Sequence, residues 1–363
     1  MLSLAHAGSA FQEGFFYVAS FLFVLSVVVF VHEYGHYLAA RLCGIKVETF
    51  SLGFGPELFG VTDSSGTRWK FSLVPVGGYV RMFGDASDAE VPEGSASVAL
   101  NGKPLWQRAI VAIAGPGANL LFSVLVFFLL FSTRGAMTPL PVVGSVLPGG
   151  VADSVGIMAG DRIVTIDGNK ISWFEEIRHH IANSSSEEVI IGLMRGNKLH
   201  HVVLGPDEWV DNASRKLGIA ASISPENIKA KRMTVVSAAA ESVRCVARIV
   251  KITLTAVRQL VTGSRGMDEL GGPVRIAKHS GESIRNKEGL RFIGLISANL
   301  GVINLLPLPM LDGGYVLQYI LQGVFRRNTI DPRCQSAVMM VGFFLLMSLM
   351  IFVTFNDVRS ILK

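Results

Sequence analysis

Two histidines and a glutamate interrupt the first long apolar segment of this chain, and few folds accommodate that combination. The residues from Phe15 to Val31 carry no charge, which is typical of a membrane-spanning helix. His32, Glu33 and His36 follow directly, although ionisable side chains at membrane depth are costly and usually serve a function. On a helix, His32 and His36 lie one turn apart on the same face, so both can bind one metal ion. Glu33 can then reach a water molecule bound to that ion. The alternative to a metal site is that the two histidines have only a structural role.

The composition indicates several membrane spans and a smaller soluble part. The chain has 363 residues, of which 50% are hydrophobic, and its mean hydropathy is +0.45. We ascribe the net charge of +5 to topology-setting loops, because no basic patch interleaved with aromatic residues indicates nucleic-acid binding. Cys43, Cys245 and Cys334 are too few and too far apart for a disulfide framework or a Cys-x-x-Cys metal site. Because the first apolar segment contains the histidines, we expect it to be retained as a span.

Four apolar segments are long enough to cross a bilayer. They predict an α-helical polytopic membrane protein with four transmembrane helices, at about residues 15–40, 110–131, 292–320 and 338–356. Arg326, Arg327 and Arg333 follow the third segment in a short loop, which the positive-inside rule places in the cytoplasm. The first and third spans then run in the same direction.

The third segment supplies a further candidate metal ligand. Its residues 299–314 read NLGVINLLPLPMLDGG, and Asp312 is the only carboxylate among them. Pro307 and Pro309 are expected to unwind the helix locally. Asp312 would complete a zinc site of two imidazoles, one carboxylate and one water, near the cytoplasmic face. The alternative is a turn or helix-capping aspartate before the two glycines.

The region between the first two spans is not helical in pattern. Trp69–Leu73 alternates as a strand does, and Val74–Met82 continues it with a glycine pair that suggests a bend. We predict a membrane-associated β-sheet or hairpin at about residues 50–85, whose edge could hold a substrate by strand addition; a surface loop is the alternative. Residues 51–56 are rich in turn formers, and residues 85–99 predict a flexible surface segment.

The small residues Ala114–Asn119 lie in the first part of the second span. Small residues let helices approach closely, and the Asn119 amide can form a hydrogen bond across a helix interface. A packing role and a direct role near the metal site are both open for this segment.

Between the second and third spans, the composition becomes that of a compact soluble domain. Strand and helix signals alternate there, and Ala159–Ile163 together with Ile166–Gly168 resembles the signatures of a PDZ domain. We therefore predict one inserted PDZ-like α+β domain. The predicted division is a membrane part at residues 1–138, the PDZ-like domain at 139–222, an amphipathic helical linker at 223–288 and a second membrane part at 289–363.

The motifs His32-Glu33-x-x-His36 and Asn304-x-x-Pro307-x-x-x-x-Asp312 together resemble the site-2 protease family of intramembrane zinc metalloproteases. Further matches resemble its bacterial regulator-of-sigma-E protease branch: Gly53–Pro56, Pro75–Tyr79, Gly115–Pro116 and Leu270–Pro273. The resemblance implies that His32, His36 and Asp312 bind Zn²⁺ and that Glu33 is the general base. It also implies substrate-binding roles for Asn304, Pro307, Gly53, Phe54, Gly55, Gly77, Gly78 and Tyr79.

The resemblance further implies the setting of the reaction. The family cuts transmembrane segments of pre-cleaved membrane proteins, such as anti-sigma factors or signal-peptide remnants. The expected partners are therefore transmembrane substrates and the lipid bilayer, with a peptide ligand of the PDZ-like domain as an option. The expected location is the bacterial inner membrane, with the active site towards the cytoplasm and the PDZ-like domain on the periplasmic side.

The branch carries two PDZ domains, whereas this chain has room for one. A non-catalytic peptide-binding scaffold is the alternative, and a metal transporter fits poorly with a single polar cluster.

Overall fold

The computed structural model describes residues 2–85, 92, 94–183, 188–205, 217–264, 271–325 and 332–361. Within these ranges, three helices are long and apolar enough to cross a bilayer, judged by length and composition. They are α1 (Leu2–Leu42), α2 (Leu105–Arg134) and the C-terminal helix α9 (Pro332–Ile361). The chain is therefore a mostly helical membrane protein with some β-sheet. The predicted loop arginines Arg326 and Arg327 lie outside the described residues, as do residues 86–91 and 93 of the predicted surface segment 85–99.

The structure differs from the prediction of one transmembrane helix at about residues 292–320. It consists of two shorter helices, α7 (Gly289–Asn304) and α8 (Asp312–Val324), separated by residues 305–311. Pro307 and Pro309 lie in this break, and neither can donate the backbone hydrogen bond that a continuous helix needs. Neither helix has the length of a span by itself, so the count of four spans stays a prediction.

The region between α1 and α2 forms two long, bent strands, β1 (Val47–Thr62) and β2 (Arg68–Met82). Residues 47–52 pair with 78–82, and residues 57–62 pair with 68–72. Residues 49–52 also lie beside 68–71, so the two bent strands form a sheet of four segments. The residues from 51 to 56, expected as turn formers, lie within β1, where Gly53 takes a φ of +89° at the bend.

Two compact units make up the chain, and the first comprises residues 1–129 and 239–363. In this unit, α6 (Pro273–Arg285) packs against α1, where a Cβ atom at Gly281 would overlap the ring of Tyr17. The helices α5 (Val235–Val261) and α6 both lie within residues 223–288, the range given to the amphipathic helical linker, and the domain boundaries stay a prediction. The N-terminus of α6 is capped from α9, because the backbone N–H of Arg275 donates to Asp357 at 3.0 Å.

The second unit, residues 130–238, contains most of the remaining sheet. Its elements are β3 (Ala136–Pro139), β4 (Val143–Val146), α3 (Val151–Ser154), β5 (Arg162–Ile166), β6 (Asn169–Lys170), α4 (Phe174–Asn183), β7 (Val189–Arg195), β8 (Lys198–Leu204), β9 (Ile219–Ala221) and β10 (Ile228–Lys231). Four strands form a sheet in the order β6-β5-β7-β8, while β4 pairs with β9 and β3 with β10. Its buried core includes Ile163, Ile166 and Ile191. The assignment of this unit to the PDZ class stays a prediction.

Candidate metal centre

Three side chains from two helices converge in the first unit. His32 and His36 extend from α1, and Asp312 is the first residue of α8. The two histidine Nε2 atoms lie 3.2 Å apart. Asp312 Oδ2 lies 3.1 Å from His32 Nε2, and Asp312 Oδ1 lies 3.4 Å from His36 Nε2. Both histidines are buried and the aspartate is partly buried, so bulk water is largely excluded from these atoms.

The separations fit a zinc ion. Tetrahedral zinc with bonds of about 2.0–2.1 Å places its ligand atoms about 3.3 Å apart, close to each of the three distances. Asp312 Oδ2 is also buried without an aligned hydrogen-bond partner among the described residues, although His32 Nε2 is close by. A shared cation accounts for such a carboxylate oxygen. The two imidazoles and one carboxylate leave a fourth position for water or substrate, as a catalytic zinc site requires.

The break between α7 and α8 places Asp312. The loop folds back over the start of α8, where Cβ atoms at Gly313 and Gly314 would overlap the backbone carbonyl oxygens of Leu305 and Leu308. Only glycine fits so close an approach of two backbones. A carboxylate in the first turn is also favoured by the positive end of the helix dipole. The Asp-Gly-Gly sequence therefore fixes both the turn and the direction of the aspartate.

One side of α2 supports the two histidines of α1. His36 Nδ1 donates to the backbone oxygen of Val111 at 2.8 Å, which leaves the Nε2 lone pair free for a metal. One turn further along α2, a Cβ atom at Gly115 would overlap His36 Nε2. Another turn along, the side-chain amide of Asn119 lies 3.2 Å from His32 Nδ1. The segment 114–119 is therefore in direct contact with the candidate ligands.

Glu33 lies between the histidines and the edge of the β-sheet. Glu33 and Val80 of β2 line the same cavity. The strand approaches α1 closely at Gly78, where a Cβ atom would lie 2.8 Å from the Ser51 backbone oxygen and 3.1 Å from Glu33 Cγ. Glycine at position 78 thus allows the strand to contact the glutamate.

A cavity of about 300 Å³ contains the histidines, Glu33 and Asp312. Of the residues predicted to bind substrate, Gly78, Tyr79 and Asn304 line this cavity, and Asn304 Nδ2 lies 3.4 Å from His32 Nε2. The structure does not place the other predicted residues in its lining: these are Gly53, Phe54, Gly55, Gly77 and Pro307. Phe54 instead stacks on Tyr79, and a Cβ atom at Gly77 would lie 2.7 Å from the Phe54 ring. Their role in substrate binding stays a prediction.

Several residues that line the cavity were not predicted from the sequence. Asp85, Arg108, Tyr315 and Tyr319 line it beside the candidate ligands. Tyr315 and Tyr319 follow Asp312 by three and seven residues on α8, a spacing that places all three near one helix face. The two tyrosines could therefore have been predicted from their spacing to Asp312 in the sequence. The positions of Asp85 and Arg108 depend on the tertiary structure.

Comparisons with known proteins identify the class of this protein. The model of the family described as Peptidase family M50 matches residues 20–349. A protein of Agrobacterium fabrum that bears the name "putative zinc metalloprotease" is 35% identical, and the match covers 98% of each chain. Metalloprotease MmpA of Caulobacter vibrioides is 32% identical over 94% of this chain and 95% of its own. The chain therefore belongs to peptidase family M50, the site-2 protease family. It is a zinc metalloprotease of the membrane.

Proposed function

We propose that this chain is an intramembrane protease that hydrolyses peptide bonds within or near transmembrane segments of pre-cleaved membrane proteins. Anti-sigma factors and signal-peptide remnants are the expected substrates, in regulated intramembrane proteolysis. The convergence of His32, His36 and Asp312 beside Glu33 carries this proposal, because the histidines and the glutamate lie on a helix that can span the bilayer. A scaffold that only binds peptides would have no use for the glutamate.

The chemistry assigned to the site follows from its donor set. His32, His36 and Asp312 would hold the zinc ion, which supplies Lewis-acid polarisation of the scissile carbonyl and of the attacking water. Glu33 accepts the proton of that water and returns it to the amine that leaves. Glu33 lines the cavity beside the three candidate ligands, so the proton acceptor is in place before substrate arrives.

The edge of the β-sheet supports binding of substrate in extended form. Residues 78–82 pair with 47–52 on one side, while Gly78, Tyr79 and Val80 line the cavity. A substrate helix hides its peptide bonds in intrahelical hydrogen bonds and has to unwind before attack. Pairing with this strand would replace part of the hydrogen bonding that the helix loses. Asn304, which also lines the cavity, can donate to the substrate backbone.

The proposal includes a location in the bacterial inner membrane, with the metal site towards the cytoplasm. The second unit is then a periplasmic PDZ-like domain that binds a peptide or restricts access by size. Support for the orientation comes from the arginines that follow α8 in the sequence.

Cleavage of a transmembrane substrate by the purified protein tests the proposal. The wild type is compared with Glu33→Gln and with the control Glu13→Gln, an exposed glutamate of α1 that pairs with Arg285. The wild type and the control should cut within or near the span, and Glu33→Gln should be slower by about 100-fold or more. Equal cleavage by Glu33→Gln, or cleavage by the wild type only of soluble peptides, would overturn the proposal.

A further inference from the structure

The buried side chain of Asn119 contacts a candidate zinc ligand from the neighbouring helix. Its amide nitrogen lies 3.2 Å from His32 Nδ1, and its backbone and side-chain oxygens lie 2.9 and 3.3 Å from Ser297 Oγ on α7. Asn119 and Ser297 are both fully buried. Three helices therefore meet in one chain of polar groups that ends at the imidazole of His32.

The chemistry of metal binding determines which group His32 Nδ1 needs as a partner. An imidazole that binds metal through Nε2 carries its proton on Nδ1, so Nδ1 must face a hydrogen-bond acceptor. The amide nitrogen of Asn119 is a donor and cannot fill this role. The side-chain oxygen can, because a half-turn of the amide plane exchanges oxygen and nitrogen at almost the same positions.

The half-turn also satisfies the other end of the chain of polar groups. The amide nitrogen then faces Ser297 Oγ, which accepts its proton. The Ser297 hydroxyl keeps its own proton for the backbone oxygen of Asn119, at 2.9 Å. The His32 Nδ1 proton and the Ser297 hydroxyl proton then each have an acceptor, and the His32 Nε2 lone pair points to the metal position.

We propose that Asn119 is a positioning residue for His32, whose Nδ1 proton its side-chain oxygen accepts in the zinc-bound protein while its amide donates to Ser297. The inference rests on the proposed role of His32 as a zinc ligand. The backbone oxygen of Val111 holds His36 in the same way, so α2 orients both imidazoles through residues two turns apart. The close contact of α2 with α7 requires Gly301, where a Cβ atom would lie 2.9 Å from the Pro116 oxygen.

Zinc affinity of the full-length protein, measured by competition with a chelator, tests the proposal. Asn119→Leu keeps the approximate volume but removes the acceptor, and it should weaken zinc binding about 10- to 100-fold. Asn119→Asp keeps an acceptor oxygen and should bind zinc within about threefold of the wild type. Rescue by aspartate separates a hydrogen-bonding role from a role in packing alone.

Ser123→Ala provides a matched control. Ser123 is buried at the same helix interface and donates to the backbone oxygen of Gly294 at 2.8 Å, one turn away from Asn119. This variant loses a buried hydrogen bond between α2 and α7 but does not touch His32. It should therefore bind zinc as the wild type does, even if its thermal stability falls.

Nitrogen-15 NMR of histidines in the zinc-loaded protein gives an independent measurement. The His32 Nδ1 proton should resonate as a hydrogen-bonded proton in the wild type and Asn119→Asp, and should shift upfield in Asn119→Leu. An unchanged resonance and wild-type affinity in Asn119→Leu would overturn the inference, provided that His32→Ala loses zinc. If His32→Ala binds zinc as the wild type does, the assignment of the ligand itself is wrong.

Discussion

Gly115 of α2 allows the most direct steric test of the metal site. A Cβ atom at this position would overlap His36 Nε2, the atom assigned to the metal. Non-bonded heavy atoms lie about 3.5 Å apart at contact, so Gly115→Ala has to displace the imidazole or the helix by ~1 Å. Zinc ligand distances vary by only about 0.2 Å, so the displaced nitrogen is lost as a ligand.

The expected result is a fall in zinc affinity by about 100-fold or more, with a similar loss of proteolysis. Gly117→Ala is the matched control, because no described residue beyond its chain neighbours and its own helix backbone lies within 4 Å of a Cβ atom at Gly117. Both substitutions raise the helix propensity of α2 by the same ~1 kcal/mol, so their difference isolates the clash with His36. Metal content after dialysis and cleavage of a transmembrane substrate are measured for both. Full zinc occupancy in Gly115→Ala would refute the geometry described for His36.

Two further predictions concern the edge strand and the second unit. Gly78→Ala should retain zinc but lower kcat/KM by roughly 100-fold, because the added Cβ atom, 2.8 Å from the Ser51 oxygen, displaces the strand from Glu33; wild-type rates would contradict this. In the second unit, burial raises the pKa of Asp161, but the hydrogen bonds that its carboxylate accepts from Arg195 and the Met158 N–H lower the pKa by more. The pKa of Asp161 therefore lies below its usual range. The depressed pKa means that the ionised Asp161 stabilises the fold above about pH 4, and this contribution is lost as the pH falls through the folded pKa. Asp161→Asn should therefore lower the free energy of unfolding by about 1–3 kcal/mol at neutral pH. The variant should also lose less stability than the wild type when the pH is lowered. Hydrogen exchange of β5 and β7 in the full-length protein measures both, and equal acid sensitivity of the two proteins would contradict the assignment.

Local sequence rules predicted the elements that carry the candidate ligands. The spacing of His32 and His36 depends only on helix geometry, and the prolines before Asp312 indicated a break in the third segment. The sequence nevertheless suggested one span where the structure has α7 and α8, because hydropathy averages over apolar residues on both sides of a break. The turn formers around Gly53 likewise bend β1 without ending it.

The contacts between helices could not be read from the sequence. Asn119 was recognised as a residue able to bond across an interface, but its partners His32 and Ser297 depend on how α1, α2 and α7 are rotated about their axes. The same holds for Gly115, whose need for glycine arises only because the ring of His36 lies against it. Such information belongs to the packing of distant segments, which local patterns do not specify.

Zinc K-edge X-ray absorption of the purified wild type, beside Asp312→Ala, tests the central claim of a His32, His36 and Asp312 site. The wild type should hold one zinc ion per chain, with nitrogen and oxygen ligands at about 2.0–2.1 Å, a signature of two imidazoles and no sulfur. Asp312→Ala should lose the ion or change its coordination. A zinc ion bound by sulfur at about 2.3 Å, or an identical spectrum in Asp312→Ala, would contradict the account.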